Sequence, residues 1–164
     1  MAVEIDQPPG ARSCWISEGV TGTGGEWDIA RDHKGRRPFI TQREQLLAKL
    51  PSEEMRLLFQ TQVQDKLDSA TKGECCYGPG EANDVELMHS TQDVLELRLG
   101  KWRFADNKKM AIRIFFSEPV ALPGTLLLLH LFWKVPAKVS KEEQTEAAKQ
   151  ASRLLKASEK RNWS

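Results

Sequence analysis

Val94-Leu95-Glu96-Leu97-Arg98-Leu99, Met110-Ala111-Ile112-Arg113-Ile114-Phe115-Phe116 and Thr125-Leu126-Leu127-Leu128-Leu129-His130-Leu131-Phe132-Trp133 are the segments on which the fold turns. The first two alternate with a period of two, the pattern of strands that present different faces at successive residues. Leu95, Leu97 and Leu99 point one way, and Val94, Glu96 and Arg98 the other. Met110, Ile112, Ile114 and Phe116 share one face, with Ala111, Arg113 and Phe115 opposite. The third segment is apolar almost throughout, which predicts a central strand covered on both sides. A polar loop, Gly100–Lys109, and a turn, Pro119–Gly124, join the three. Links this short between consecutive strands predict antiparallel pairing.

Upstream, Glu26–Arg31 reads as a further strand, with Trp27 and Ile29 on one side, and Asp32-His33-Lys34-Gly35 as a turn. Thr41 precedes a short helix, Gln42–Leu50, and Glu44 three residues on completes a capping box. Ser52 caps a second helix that ends near Ser69–Gly73, with Met55, Leu58, Phe59, Val63 and Leu67 on its buried face. Residues 72–93, with Gly73, Gly78, Pro79, Gly80 and several acids, read as an irregular loop. Downstream, Ser140 caps a final helix, with Glu142 and Glu143 in its first turn and Lys156, Lys160 and Arg161 in its last, both suited to the helix dipole. The order β-α-α-β-β-β-α, with helices segregated from an antiparallel sheet, defines an α+β domain over residues 26–164. Residues 1–25, rich in Gly, Pro, Ser and Thr, read as a flexible N-terminal extension.

The chain has 164 residues, 40% of them apolar, enough for one core. The longest apolar run, Leu126–Trp133, is interrupted by His130 and too short to span a membrane. The start MAVEIDQPPG lacks the basic-then-apolar pattern of a secretory signal, so a cytoplasmic location is expected. Thr21-Gly22-Thr23-Gly24-Gly25 has no following Lys-Ser/Thr and is no phosphate-binding loop. Cys14, Cys75 and Cys76 do not form a disulfide framework, and no histidine stands at zinc-ligand spacing from them, so no metal is expected. Charge is divided unevenly. Residues 1–93 hold 10 Lys+Arg against 16 Asp+Glu, and residues 94–164 hold 14 against 7, net −6 and +7. A basic half favours a polyanionic partner, RNA or an acidic peptide, or is simply a solvated Lys-rich helix.

Arg98 and Arg113 fall on the same face of strands expected to be neighbours. Like charges there need an anion or an acidic neighbour, and Glu96 on that face can supply one as a cross-strand ion pair. Lys101-Trp102-Arg103-Phe104 with Lys108 and Lys109 mixes cations with flat rings, a combination that binds RNA backbone and stacks on unpaired bases. Equally, Trp102 and Phe104 can cover the sheet edge while the cations stay solvated. His130, on the predicted face of Leu128 and Phe132, is either a hydrogen-bonded core residue or an acid/base group. Lys134 and Lys138 rim the same sheet.

Taken together, Val94–Arg98, Ile112–Phe116, Leu129-His130-Leu131-Phe132-Trp133-Lys134 and a helix with Ala147 and Ala148 resemble the phage-derived branch of the RelE/HigB-like toxins. The upstream strand, Lys34-Gly35-Arg36-Arg37-Pro38-Phe39 and two helices resemble it too, so the likeness spans roughly residues 26–158. Ile112 stands where that branch has an aromatic residue, and Lys134-Val135 where it has a Lys-Lys pair. The resemblance implies a RelE-like antiparallel sheet with two N-terminal helices and a C-terminal helix. It implies a toxin of a type II toxin–antitoxin system: a ribosome-dependent mRNA endonuclease that inhibits translation. Such an enzyme uses the RNA 2′-hydroxyl as nucleophile, needs no metal or other cofactor, and is held inactive by a cognate antitoxin, often a helix-turn-helix protein. Arg98 and Arg113 then stabilise the scissile phosphate. Lys134 and Lys138 add charge, one of them transferring a proton if its pKa is lowered. Lys101, Arg103, Lys108 and Lys109, with Trp102, hold RNA. Two alternatives share the fold: a non-catalytic protein that binds an antitoxin or host factor, and a decayed, inert toxin.

Overall fold

In chain order the strands are β1 (Ala11–Arg12), β2 (Glu26–Ile29), β3 (Cys76–Tyr77), β4 (Val85–Leu87), β5 (Leu95–Arg103), β6 (Lys109–Ser117) and β7 (Thr125–Lys134). The helices are α1 (Pro38–Lys49), α2 (Glu53–Thr71) and α3 (Lys141–Lys160). The computed structural model describes residues 11–12, 26–72, 74–77, 84–87, 94–119, 121–122, 124–135 and 141–163. Lys138, Ser140, Cys14 and most of the N-terminal extension therefore lie outside the described residues. Ala11 and Arg12, within that extension, pair with Cys76 and Tyr77.

The α+β class is as expected, and the sheet runs β1-β3-β4-β5-β6-β7-β2. Five of its strands are three or more residues long. β4, β5, β6 and β7 are successively antiparallel, and β7 is internal. The sheet is nevertheless mixed, because β2 lies parallel to β7 and β3 parallel to β4. β2 and β7 are far apart in sequence, so no hairpin dictates their direction. β3 and β4 arise inside the segment read as an irregular loop.

The helices cover both faces of the sheet. Phe39, Leu46 and Leu50 of the α1 region and Phe59 and Leu67 of α2 pack on Leu95, Leu97, Ile112, Ile114, Phe116, Leu126 and Leu128. Ala147, Ala148, Ala151 and Leu155 of α3 pack on Phe115, Leu127 and Leu129 of the opposite face. Three alanines let the helix approach the sheet closely, so the face bearing Glu96, Arg98 and Arg113 is roofed.

Ser52 caps α2 as expected, its Oγ accepting from Met55 N at 3.2 Å. α1 differs. It begins a turn early, at Pro38, with Arg37 at the N-cap and no side-chain cap, so Thr41 and Glu44 form no capping box. Proline at the first position is preorganised for helix, and burying Phe39 repays the extra turn. On α2, Leu58 is 47% exposed instead of buried.

Two bulges reset the alternation on which the sequence reading relied. The β5–β6 register shifts between Arg98 and Lys101, at Gly100, whose φ is +79°. β5 thus continues to Arg103 through residues read as loop, and Leu99 and Trp102 both reach the α1/α2 core. The second shift falls between Phe115 and Phe116, opposite Leu128–His130. Leu128 and Leu131 then share one core, while Leu129 and Phe132 join the other. A Cβ on Gly100 meets nothing within 4 Å. Gly100→Ala is therefore expected to cost only the left-handed backbone penalty, about 1–2 kcal/mol. Urea unfolding measures it, and an unchanged midpoint would show that the bulge does not need glycine. Among the described residues no helix is long and apolar enough to cross a membrane.

Candidate functional site

Arg98 and Arg113 are direct cross-strand partners between β5 and β6. They are not a solvent-facing basic pair: Arg98 is 7% exposed, Arg113 3% and Glu96 2%. Glu96 Oε1 lies 3.5 Å from Arg98 Nε and 3.2 Å from Arg113 Nε, so one carboxylate serves both guanidiniums. Arg98 Nη2 also pairs with Glu86 of β4, which stands beside Glu96 in the register. Arg113 Nη1 donates to the Ile112 carbonyl at 3.1 Å. From α3, Gln144 Nε2 donates to Glu96 Oε2 at 2.5 Å, and Lys134 Nζ donates to Gln144 Oε1 at 2.9 Å. The repulsion expected of paired arginines is met by two carboxylates inside the protein, and Glu96–Arg113 is the cross-strand ion pair, buried instead of exposed.

Glu86 and Gln144 were not singled out from the sequence. Val85-Glu86-Leu87 carries the alternation of a strand, but it sits in a stretch otherwise rich in loop residues. Gln144 had no local signal; its role follows from α3 lying over this face.

The tip of the β5–β6 hairpin keeps its cations in water. Lys101, Arg103, Lys108 and Lys109 are all exposed. Arg103 Nη1 donates to Asn107 Oδ1 at 2.9 Å and to the Asn107 carbonyl at 3.1 Å, which fixes the turn. Trp102 is not among the exposed groups. It is 7% exposed, donates Nε1–H to Leu99 O at 2.9 Å and meets Phe59 edge-on at 5.1 Å. Phe104 is likewise buried, against Trp133. In this fold both rings cover the core and are not available to stack on bases. The Gly100 bulge is the reason: it turns Trp102 to the side opposite that of its neighbouring cations.

His130 lies on the second bulge of β7. Its ring stacks with Phe115 at 6.2 Å, and Phe115 stacks in turn with Phe132. Gln42 of α1 accepts from Leu131 N through Oε1 at 2.7 Å and holds Nε2 2.8 Å from His130 Nδ1. A backbone N–H can only donate, so the Gln42 amide has one orientation. Its NH2 group then donates to Nδ1, and the imidazole proton resides on Nε2. Burial lowers the His130 pKa from 6.5 to about 4. The ring is neutral at pH 7, a poor general acid there.

The unfolded chain takes up this proton near pH 6.5 and the folded chain only near 4, so between them the unfolded state binds more protons. The contribution is complete above about pH 6.5 and falls by about 3 kcal/mol as pH drops through the folded value. Urea midpoints from pH 7 down to about 4.5 are expected to fall more steeply for the native chain than for His130→Gln. Parallel profiles would assign the acid sensitivity to other groups.

His130 also lines a cleft of about 300 Å³ between the start of α1, β7 and the outer flank of α3. Among the described residues no cluster of three or more His, Cys, Asp or Glu is placed to hold a metal ion, and Cys75 is buried. Comparison with protein-family models, curated proteins and solved structures found no match to this chain.

Proposed function

We propose that this chain is the toxin of a type II toxin–antitoxin pair, a ribosome-dependent, metal-independent mRNA endonuclease with a RelE-like fold. The observation that carries the reading is the direct pairing of Arg98 with Arg113, next to Lys134 on the adjoining strand. Two guanidiniums side by side suit a phosphodiester whose charge concentrates on its oxygens in the transition state. Each preorganised contact of that kind supplies about 2–4 kcal/mol. The exposed hairpin cations Lys101, Arg103, Lys108 and Lys109 hold the RNA backbone outside.

In the resting chain Glu86 and Glu96 engage the arginines that the phosphate needs. RNA entry on this reading shifts the first turns of α3, with Gln144, and exchanges carboxylate for phosphate. Lys134 and Lys138 then add charge beside the scissile bond. A helix-turn-helix antitoxin with an acidic segment is the partner that neutralises the hairpin, and the cytoplasm, where ribosomes work, is the location.

One observation favours a second reading. Arg98 and Arg113 are buried and matched by carboxylates, which suits a scaffold whose hairpin binds an acidic protein without chemistry. Purified protein added to a translating extract separates the two. Message cut at defined codons is the expected result. Intact message, whether translation is arrested or undisturbed, would defeat the nuclease and leave the binder or an inert chain.

A further inference from the structure

The cleft beside His130 is separated from the arginine network by the Phe115–Phe132 aromatic layer. Pro38, Leu154 and Ala157 give it apolar walls, and its volume, about 300 Å³, matches the lower end of small-molecule sites. His130 and Arg153 supply donors to it. Gln42 occupies Nδ1 of His130 and so leaves the ring its Nε2–H, a neutral donor needing no counter-charge. Arg153, 65% exposed, borders the cleft and among the described residues pairs with Glu146 at 3.0 Å, an exposed pair of little strength. The guanidinium is accordingly able to turn to a stronger anion. Asp32, the acid in the lining, is engaged by the backbone N–H groups of Lys34 and Arg36 and by Arg36 Nε.

Apolar walls, one neutral donor inside and an exposed cation at the mouth suit a flat heteroaromatic ring carrying an anionic end. We propose that this cleft is a nucleotide-binding site, in which a nucleobase lies between Pro38, Leu154 and His130 and its phosphate meets Arg153. The site is independent of the arginine network and of any cleavage. The same chemistry is offered by a free nucleoside monophosphate and by one unpaired residue of an RNA strand.

The test titrates isotope-labelled full-length protein with AMP, with UMP and with a six-residue single-stranded RNA, following the His130 ring and the Gln42 side-chain amide by NMR at pH 7. Saturable shifts at both groups are expected. Arg153→Ala, a surface change, is expected to weaken mononucleotide binding about tenfold, the loss of one charge-assisted contact. Adenosine without phosphate is expected to bind the native chain as weakly as AMP binds that variant. A hairpin variant, Lys101→Ala with Arg103→Ala, leaves the mononucleotide shifts unchanged while weakening the oligonucleotide if the strand is the source. Absence of saturable shifts with all three ligands overturns the proposal, as does binding that Arg153→Ala leaves intact. Neither result bears on message cleavage, which the extract assay reads separately.

Discussion

Glu96→Ala is expected to destabilise the protein by about 3–5 kcal/mol, among the largest effects available to a single substitution here. Glu96 is 2% exposed and is shared by Arg98 and Arg113, themselves 7% and 3% exposed. Truncating it removes from beneath α3 the carboxylate that the two guanidiniums share, while Glu86 stays beside Arg98. It also removes the acceptor for Gln144, which links α3 to the sheet. The penalty is that of uncompensated buried charge, not of a lost surface bridge, which would be about 0–1 kcal/mol. Urea unfolding monitored by tryptophan fluorescence measures it. A loss below about 1 kcal/mol would mean that water reaches the network and screens it.

Replacing the whole cluster by apolar groups of similar volume behaves differently. The triple variant Glu96→Leu, Arg98→Met, Arg113→Met is expected to be within about 1–2 kcal/mol of the native chain, because the fully buried charges go together and Glu86, whose side chain is 26% exposed, keeps contact with water. That variant supplies the second large effect. If the guanidiniums stabilise the transition state, it folds but loses message cleavage by about a thousandfold or more, two contacts of about 2–4 kcal/mol each. A simple Arg98→Ala, Arg113→Ala chain cannot make this point, since it strands Glu96 and loses activity by unfolding alone. A folded triple variant that still cuts message would remove the arginines from the chemistry and leave the network a structural one. The exposed hairpin answers to a different measurement: if it holds RNA as proposed, alanine at Lys101 and Arg103 is expected to weaken binding evenly across sequences and to lower its salt dependence, and unchanged binding would remove the hairpin from the interface.

Much of the sheet was legible because its signal is local. Alternation in Leu95–Leu99 and Met110–Phe116 reports which residues share a face, and the register of Arg98 opposite Arg113 follows once a hairpin joins them. The almost wholly apolar Leu126–Leu131 stretch, broken only by His130, announced an internal strand for the same reason. Ser52 before Glu53-Glu54 marked the start of α2, since a cap acts within three residues. What failed were inferences carried across a bulge. A single glycine in the left-handed region at position 100 extended β5 through residues read as loop and turned Trp102 into the core, the second of the two places the sequence allowed it, and the bulge at Leu128–His130 separated Leu128 from Phe132.

The sequence by itself determined the α+β class, the three central strands, the bipolar charge and the identity of the paired arginines, all consequences of spacing along one strand or one helix. Only the tertiary structure decided what those arginines face. The roof of α3 and the arrival of β4 at the sheet edge join residues far apart in the chain, Glu86, Glu96 and Gln144, around two guanidiniums. No local pattern encodes that meeting, because burial is a property of the packed layers and not of any one element. The result moves the accessible positive charge from the strand faces to the hairpin tip. It also makes the Arg98–Arg113 pair a buried network, which on the proposed reading must exchange carboxylate for phosphate before any chemistry on RNA.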